Sequence, residues 1–451
     1  MKITGLPLSS YSNTLLQGLT TSEVGSLTSK ELSALSTAQI NVLSTDQIQA
    51  ITASAIVGLT SITSLDASKI FALVTAQIAA LGTGQVGGMS TAQIAALSTD
   101  QIGKLTSTQV VALSTAQVAA IETQDLAKMT TSQIKAMETR DIASFTSAQI
   151  QALTTDQINA LSSSQVKALT TAQLVALTTD QASKLSTAMV SSLTTAQIGS
   201  VATDDFAALS TGAIANLTTA QVKALTTAQV VALSTDQAGK LTTDQVKALT
   251  TEQVSKLETA DLAKLGTAHI QALSTGAIAN LTTDQFKTLG TDQINALSSS
   301  QVKALTTAQL VALTTDQASK LSTAMVSSLT TAQIGSVATD DFAALSTGAI
   351  ANLTTAQVKA LTTAQVVALS TDQAGKLTTD QVKALTTEQV SKLETADLAK
   401  LGTAHIQALS TGAIANLTTD QIHSMSTVQI TALTTAQVAA LSVEQISAIQ
   451  T

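Results

Sequence analysis

Residues Leu225–Lys264 read LTTAQVVA, LSTDQAGK, LTTDQVKA, LTTEQVSK, LETADLAK. The unit is eight residues long. Position one is Leu, or in places Met, Ile, Val or Phe. Position two is usually Thr or Ser, three nearly always so, and four often Ala or Asp. Five is usually Gln, six mostly Ile or Val, seven variable, and eight often Ala.

A single continuous helix cannot carry this pattern. Eight residues at 3.6 per turn advance about 800°, leaving roughly 80° of drift per unit, so no face would stay buried. Each unit must contain a break, and its residues supply one. Thr or Ser at position two with Gln at position five has capping-box spacing. The hydroxyl accepts from the backbone N–H three residues on, while Gln reaches back to the N–H of the cap residue. Thr226 and Gln229 are such a pair. Acids gather at position four and Lys at seven and eight, as in Asp180 with Lys184, Asp236 with Lys240 and Glu252 with Lys256. That order suits the helix dipole and acid-to-base pairing four residues apart.

Each octad therefore reads as a capped helix of one and a half to two turns. Alone, so short a helix cannot offset its nucleation cost. Stacked neighbours bury position one against position six, with Ala at eight permitting close approach. The resulting fold class is all-α, an α-solenoid with one short helix per octad. A β-solenoid is the alternative, supported by abundant Thr, Val and Ile. Its turns need Gly, Asn or Pro at regular places, whereas the chain has 20 Gly and one Pro, Pro7. Ala, Leu, Gln and Lys favour helix. With two to three octads per turn and turns about 8–10 Å apart, the array is expected to be a rod roughly 150–270 Å long.

The register runs unbroken over 65–448, which is 48 octads. Residues 11–58 hold six more in a different phase, and the six-residue unit 59–64 (LTSITS) joins the two as an expected kink or bulge. Residues 1–10 are non-repetitive, and 449–451 form an uncapped end early in a further octad. Residues 155–285 recur unchanged as 291–421, an offset of 136 residues, or 17 octads. Seventeen is not a multiple of two or three, so the octads are expected to be near-equivalent units related by a screw operation.

Composition excludes several classes. Of 451 residues only 1% are aromatic, so any core is thin and built from Ala, Leu, Ile and Val. Charged residues are 12% and mean hydropathy is +0.31, which is not the polar, charge-rich signature of disorder. A net charge of −8 disfavours nucleic acid as a partner. There is no Cys for a disulfide, a thiolate nucleophile or a Cys-based metal site. No apolar run reaches membrane-spanning length. The start, MKITGLPLSS, is no cleavable signal peptide.

The units LSTAQIAA, LTTDQINA and LTTAQVVA resemble the Thr/Gln-rich octapeptide arrays of large secreted or surface proteins of proteobacteria. Those proteins are often labelled haem-utilisation or adhesion proteins. The resemblance covers about 430 residues and implies a bacterial, extracellular or cell-surface setting. It does not carry over haem binding, because the chain has three His. LTTAQVVAL is also similar to the opening of the TAL-effector DNA-binding repeat, LTPEQVVAI. The likeness stops there, since the unit is shorter, the base-reading loop is absent and the chain is acidic.

Candidate chemistry is sparse, and neither enzymatic activity nor a cofactor is expected. His269 and His405 are one position in two copies; both replace Gln at position five and read as polar cap substitutes, with no second ligand at metal spacing. Asp204–Asp205 and Asp340–Asp341 read as helix-start acids. A row of position-four acids would allow weak calcium binding. Met89, Met129, Met137 and Phe145 stand at position one as core substitutes for Leu.

The expected function is structural: a subunit of an extracellular filament or sheath whose partner is itself, joined head to tail. Solenoids normally end in polar capping units, yet Leu441–Ala448 looks like an interior octad. A non-closing heterologous contact between such ends generates a filament. The candidate joint is Tyr11, Leu15 and Leu16 at one end with Leu441, Ile446 and Ile449 at the other. A surface spacer or adhesive stalk, or a partner-binding scaffold, is the alternative.

Overall fold

The computed structural model describes residues 7–60 and 62–449. They form 54 short α-helices and two 3₁₀ turns, with no strand among the described residues, so the all-α reading holds and the β-solenoid alternative falls. The chain divides into two units, Met1–Ala232 and Leu233–Thr451. The first contains α1 (Asn13–Gln17) to α27 (Thr227–Val231), and the second α28 (Thr235–Ala238) to α54 (Val443–Ser447).

The helix break lies at positions one and two. Leu225 (φ −60°, ψ 139°) and Thr226 (φ −71°, ψ 157°) are both extended, and α27 starts at position three. The Leu225 N–H still donates to the Val222 carbonyl at 3.2 Å, which tightens the end of the preceding helix. Thr226 then caps: its hydroxyl accepts from the Gln229 N–H at 3.1 Å, and its own N–H donates to Gln229 Oε1 at 2.9 Å. Both halves of the capping box expected from the spacing are present.

Helices pack on those three further along the chain. In the first unit α9 (Thr83–Gly88) meets α12 (Ser107–Val111), which meets α15 (Thr131–Ala136). In the second, α43 (Thr355–Lys359) meets α46 (Thr379–Ala384), which meets α49 (Thr403–Ala408). Three octads therefore make one turn. Position six is the innermost residue, fully buried in Val222, Val230, Ile350 and Val358, and position one lies just outside it, as at Leu225 and Leu361. Met89, Met129, Met137 and Phe145 are buried at position one as expected. Close approach between turns involves Ala eight as expected, and sets it against position seven of the neighbouring turn. A Cβ on Gly87 would stand 2.8 Å from the Ala112 carbonyl oxygen, and one on Gly199 3.0 Å from that of Ala224.

The six-residue unit replaces one α-helix by a 3₁₀ turn, Ile62–Ser64, and leaves the three-per-turn stacking intact. Asn41 braces it, donating from Nδ2 to the Ser64 carbonyl at 2.8 Å and accepting from the Asp66 N–H at 3.3 Å. The duplication is also absorbed. Seventeen octads divided by three leave a remainder of two, so the copies take different places in the turn. Yet Gln197 and its copy Gln333 make the same bonds, to Val166 and Leu169 and to Val302 and Leu305, all at 2.7–2.8 Å. Near-equivalence of the octads follows from that match.

Candidate functional site

Besides the capping hydroxyl at position two, the side chain that recurs in a specific polar role is Gln at position five. Its Oε1 completes the cap, which leaves the Nε2 hydrogens. Gln229 Nε2 donates to the carbonyls of Ile198 and Val201, both at 2.9 Å, 31 and 28 residues earlier. In the second unit Gln389 Nε2 donates to Val358 at 3.0 Å and Leu361 at 2.8 Å, at the same offsets. Those carbonyls close the helix of the turn beneath, at positions six and one. Each such Gln thus caps its own helix and bonds the turn below, and is itself buried: Gln229 is 1% exposed and Gln389 3%. Across the short unit the offsets shrink by two, to 29 and 26 for Gln77 and Gln85, so LTSITS counts as one octad in the ladder.

Sequence reasoning found the cap and missed the ladder. The signal was there: Glu serves a capping box as well as Gln, yet Glu takes position five only at Glu23 and Glu31. Both lie in the opening turn. They cap Thr20 and Thr28, accepting from the backbone N–H at 2.9 and 2.8 Å. The ladder begins one octad later, where Gln39 Nε2 donates to Ser9 and Tyr11. Lys69 performs only the inter-turn half, its Nζ donating to the carbonyls of Asn41 and Leu43. Burial lowers its pKa, opposed by Asp66.

Asp at position five cannot donate. Asp205 and Asp341 turn across to accept from the hydroxyls of Thr179 at 2.8 Å and Thr315 at 2.9 Å, so they do more than start a helix. In four other octads the Asp follows a Glu cap. Asp125 accepts from Thr99 at 2.7 Å. Asp141 accepts from the Glu138 N–H at 3.1 Å and has Arg140 at 3.8 Å. Asp261 and Asp397 are 1% exposed, and neither oxygen of either has a hydrogen bond of normal geometry. Burial raises the pKa of Asp397; the nearby Thr371 hydroxyl opposes this and the charge of Glu394 adds to it.

A raised folded-state pKa means that Asp397 costs nothing below its unfolded pKa. The penalty grows as pH rises toward the folded value and is complete above it. Asp397→Gln removes the buried charge and supplies donors for the Val366 and Leu369 carbonyls, the register equivalents of those Gln389 uses. We expect it to stabilise the second unit by about 1–3 kcal/mol at neutral pH, with a smaller gain in acid. Urea unfolding at two pH values checks this.

The remaining candidates fall into place as structure. His269 and His405 accept at Nδ1 from the N–H of Gly266 and Gly402, at 3.0 and 3.1 Å, as cap substitutes do. Asp180 pairs with Lys184 at 2.9 Å, and the copy, Asp316 with Lys320, at 3.0 Å. Among the described residues no group of three or more His, Cys, Asp or Glu is placed to hold a metal ion, and no helix is long and apolar enough to cross a membrane. Of the joint residues, Tyr11 and Leu16 are buried, Leu15 is 47% exposed, Ile446 is 53% exposed, and Leu441 and Ile449 are half-buried.

Among curated proteins none matches the chain. The ALTTAQ repeat matches it twelve times, over 24–61, 78–115, 118–187, 201–251, 254–323, 336–387 and 390–427. These matches span well over half the sequence, and the chain belongs to the ALTTAQ-repeat family.

Proposed function

We propose that the chain is a structural scaffold of the cell exterior, an array whose task is set by its number of octads. The observation that carries this reading is the inward commitment of position five. The residue best suited to bind a ligand is used, octad after octad, to cap one helix and bond the turn beneath, as at Gln229 and Gln389. The outside is left to Thr, Ser, Ala, scattered Asp and Lys, and isolated apolar residues at position seven such as Val175 and Val311. The exterior setting rests on the resemblance to secreted octapeptide arrays. End-to-end joining into a filament or sheath is the form that an array of equivalent octads would take, since each turn offers the next the same carbonyl pair, as Val358 and Leu361 offer Gln389.

A scaffold of interchangeable units tolerates loss of whole units, because its stability is close to a sum of unit and neighbour contributions. Removing 291–426, which is 17 octads, joins position two of one unit to position three of another and restores every register. We expect the shortened chain to keep its helicity per residue, by circular dichroism, and to melt cooperatively near the parent temperature. Loss of helicity would show that the octads are not interchangeable, and the scaffold reading would fall.

A further inference from the structure

Four octads carry Glu at position two, and each of them also carries Asp at position five: Glu122 with Asp125, Glu138 with Asp141, Glu258 with Asp261, and Glu394 with Asp397. Like charges at that spacing repel each other, and Thr with Gln would serve the cap without charge. In two of the four the Asp is partly answered, by the Thr99 hydroxyl and by the Glu138 N–H with Arg140. Asp261 and its copy Asp397 are not. Each is 1% exposed, and neither oxygen of either has a hydrogen bond of normal geometry.

Oxygen faces Asp397 from the turn beneath. The Thr371 hydroxyl lies near its carboxyl, and Glu394 is close enough for its charge to be felt. In this register the Val366 and Leu369 carbonyls are the pair that a Gln would bond, as Gln389 bonds Val358 and Leu361. Among the described residues no hydrogen bond reaches the Leu369 oxygen, and neither Glu394 nor Asp397 has an ion pair. What this place lacks is a positive charge. Lys69 shows what fits: at position five, behind Asp66 at position two, its ammonium donates to the Asn41 and Leu43 carbonyls at the same level of the ladder.

We propose that Asp397 with Glu394, and Asp261 with Glu258, each bind a calcium ion, seated where Lys69 places its ammonium. The donors are hard oxygens from carboxylate, hydroxyl and main-chain carbonyl, the set that calcium takes. Two carboxylates match its charge, and carbonyls fill the shell, so no larger cluster of acids is needed. Magnesium, which holds its water and demands a strict octahedron, suits such a site poorly. Asp341 marks the boundary: it follows Ala338, and its Oδ1 accepts from Thr315 at 2.9 Å, so it calls for no ion. The gain expected from Asp397→Gln is that of the calcium-free protein, and calcium should remove it.

The test is calorimetric titration of calcium into the full chain stripped with a chelator, together with urea unfolding in calcium, in magnesium and in chelator at constant ionic strength. We expect two sites per chain, with dissociation constants on the order of 10⁻⁴–10⁻³ M. The unfolding midpoint should rise with calcium and not with magnesium. Asp261→Gln/Asp397→Gln installs the residue ordinary at position five and should abolish both sites and the calcium shift. Glu258→Gln/Glu394→Gln changes only exposed side chains and should weaken binding about tenfold or more. Asp341→Gln should leave both sites as they are. A parent that gives neither heat nor a midpoint shift at about 10 mM calcium, well above that range, would overturn the proposal. So would a calcium shift that survives Asp261→Gln/Asp397→Gln, which would place binding among the exposed position-four acids instead.

Discussion

Gln389→Glu will destabilise the second unit by about 3–5 kcal/mol at neutral pH, the scale of an uncompensated buried charge. The change is isosteric and keeps half of the residue's work. Glu can still accept from the Thr386 N–H, as Gln389 Oε1 does at 2.8 Å, and Glu23 does this for Thr20. What is lost is the donor to Val358 and Leu361, and what is gained is a negative charge over two carbonyl oxygens at a site 3% exposed.

The pH dependence separates this account from a general packing defect. Burial raises the pKa of the introduced carboxyl in the folded state, so the loss shrinks as pH falls through that value toward the unfolded one. Recovery is incomplete, because a protonated carboxyl has one hydrogen to give where the amide has two. Gln389→Met is the control. Met189 and Met325 already occupy position five, both buried, so it should cost about 1–3 kcal/mol with no pH dependence. Urea unfolding read by hydrogen exchange around Val358–Leu361 measures both. Equal, pH-independent losses would mean that the ladder adds nothing beyond the cap.

The contrast shows what the sequence could reveal. The cap at Thr226 and Gln229 lies within four residues, and its spacing places the helix start wherever the pair occurs; Ala202 and Glu394 begin helices without it. The partners of Gln229 Nε2 lie 28 and 31 residues away, and no local pattern points to them. Three octads per turn was equally hidden, because an octad carries no mark of its place in the turn; the shifted but identical bonds of Gln197 and Gln333 demonstrate this. Asp261 and Asp397 look in sequence like ordinary first-turn acids. Only the stack above and below makes them buried and unsatisfied. What was legible is what an octad does alone, and what was not is what the turns do to one another.

Gly58→Ala is expected to cost about 3 kcal/mol, the upper end for overpacking, although it adds a single methyl group. Gly58 is buried at position eight of the octad before the short unit, and a Cβ there would overlap the Ser29 backbone at its carbonyl oxygen, carbonyl carbon and Cα. Ser29 opens α3 (Ser29–Ser33), on which α6 (Ala53–Ile56) packs. The methyl is fixed by the backbone and the Ser29 atoms it meets are main chain, so no rotamer change relieves the overlap and the two helices must separate. Gly199 is the informative comparison. Its Cβ would meet only the Ala224 carbonyl oxygen, at 3.0 Å, and Gly199 lies within a helix where Ala gains about 0.8–1 kcal/mol of propensity. Gly199→Ala should therefore sit near neutral. Hydrogen exchange should show faster opening over 45–65 in Gly58→Ala and nothing comparable near 199. If Gly58→Ala melts like the parent, the approach to Ser29 is not what fixes glycine there. The shortened unit would then be held by Asn41, through its bonds to Ser64 and Asp66, and by the ladder bonds from Gln85 to Leu59 and from Gln93 to Ile62.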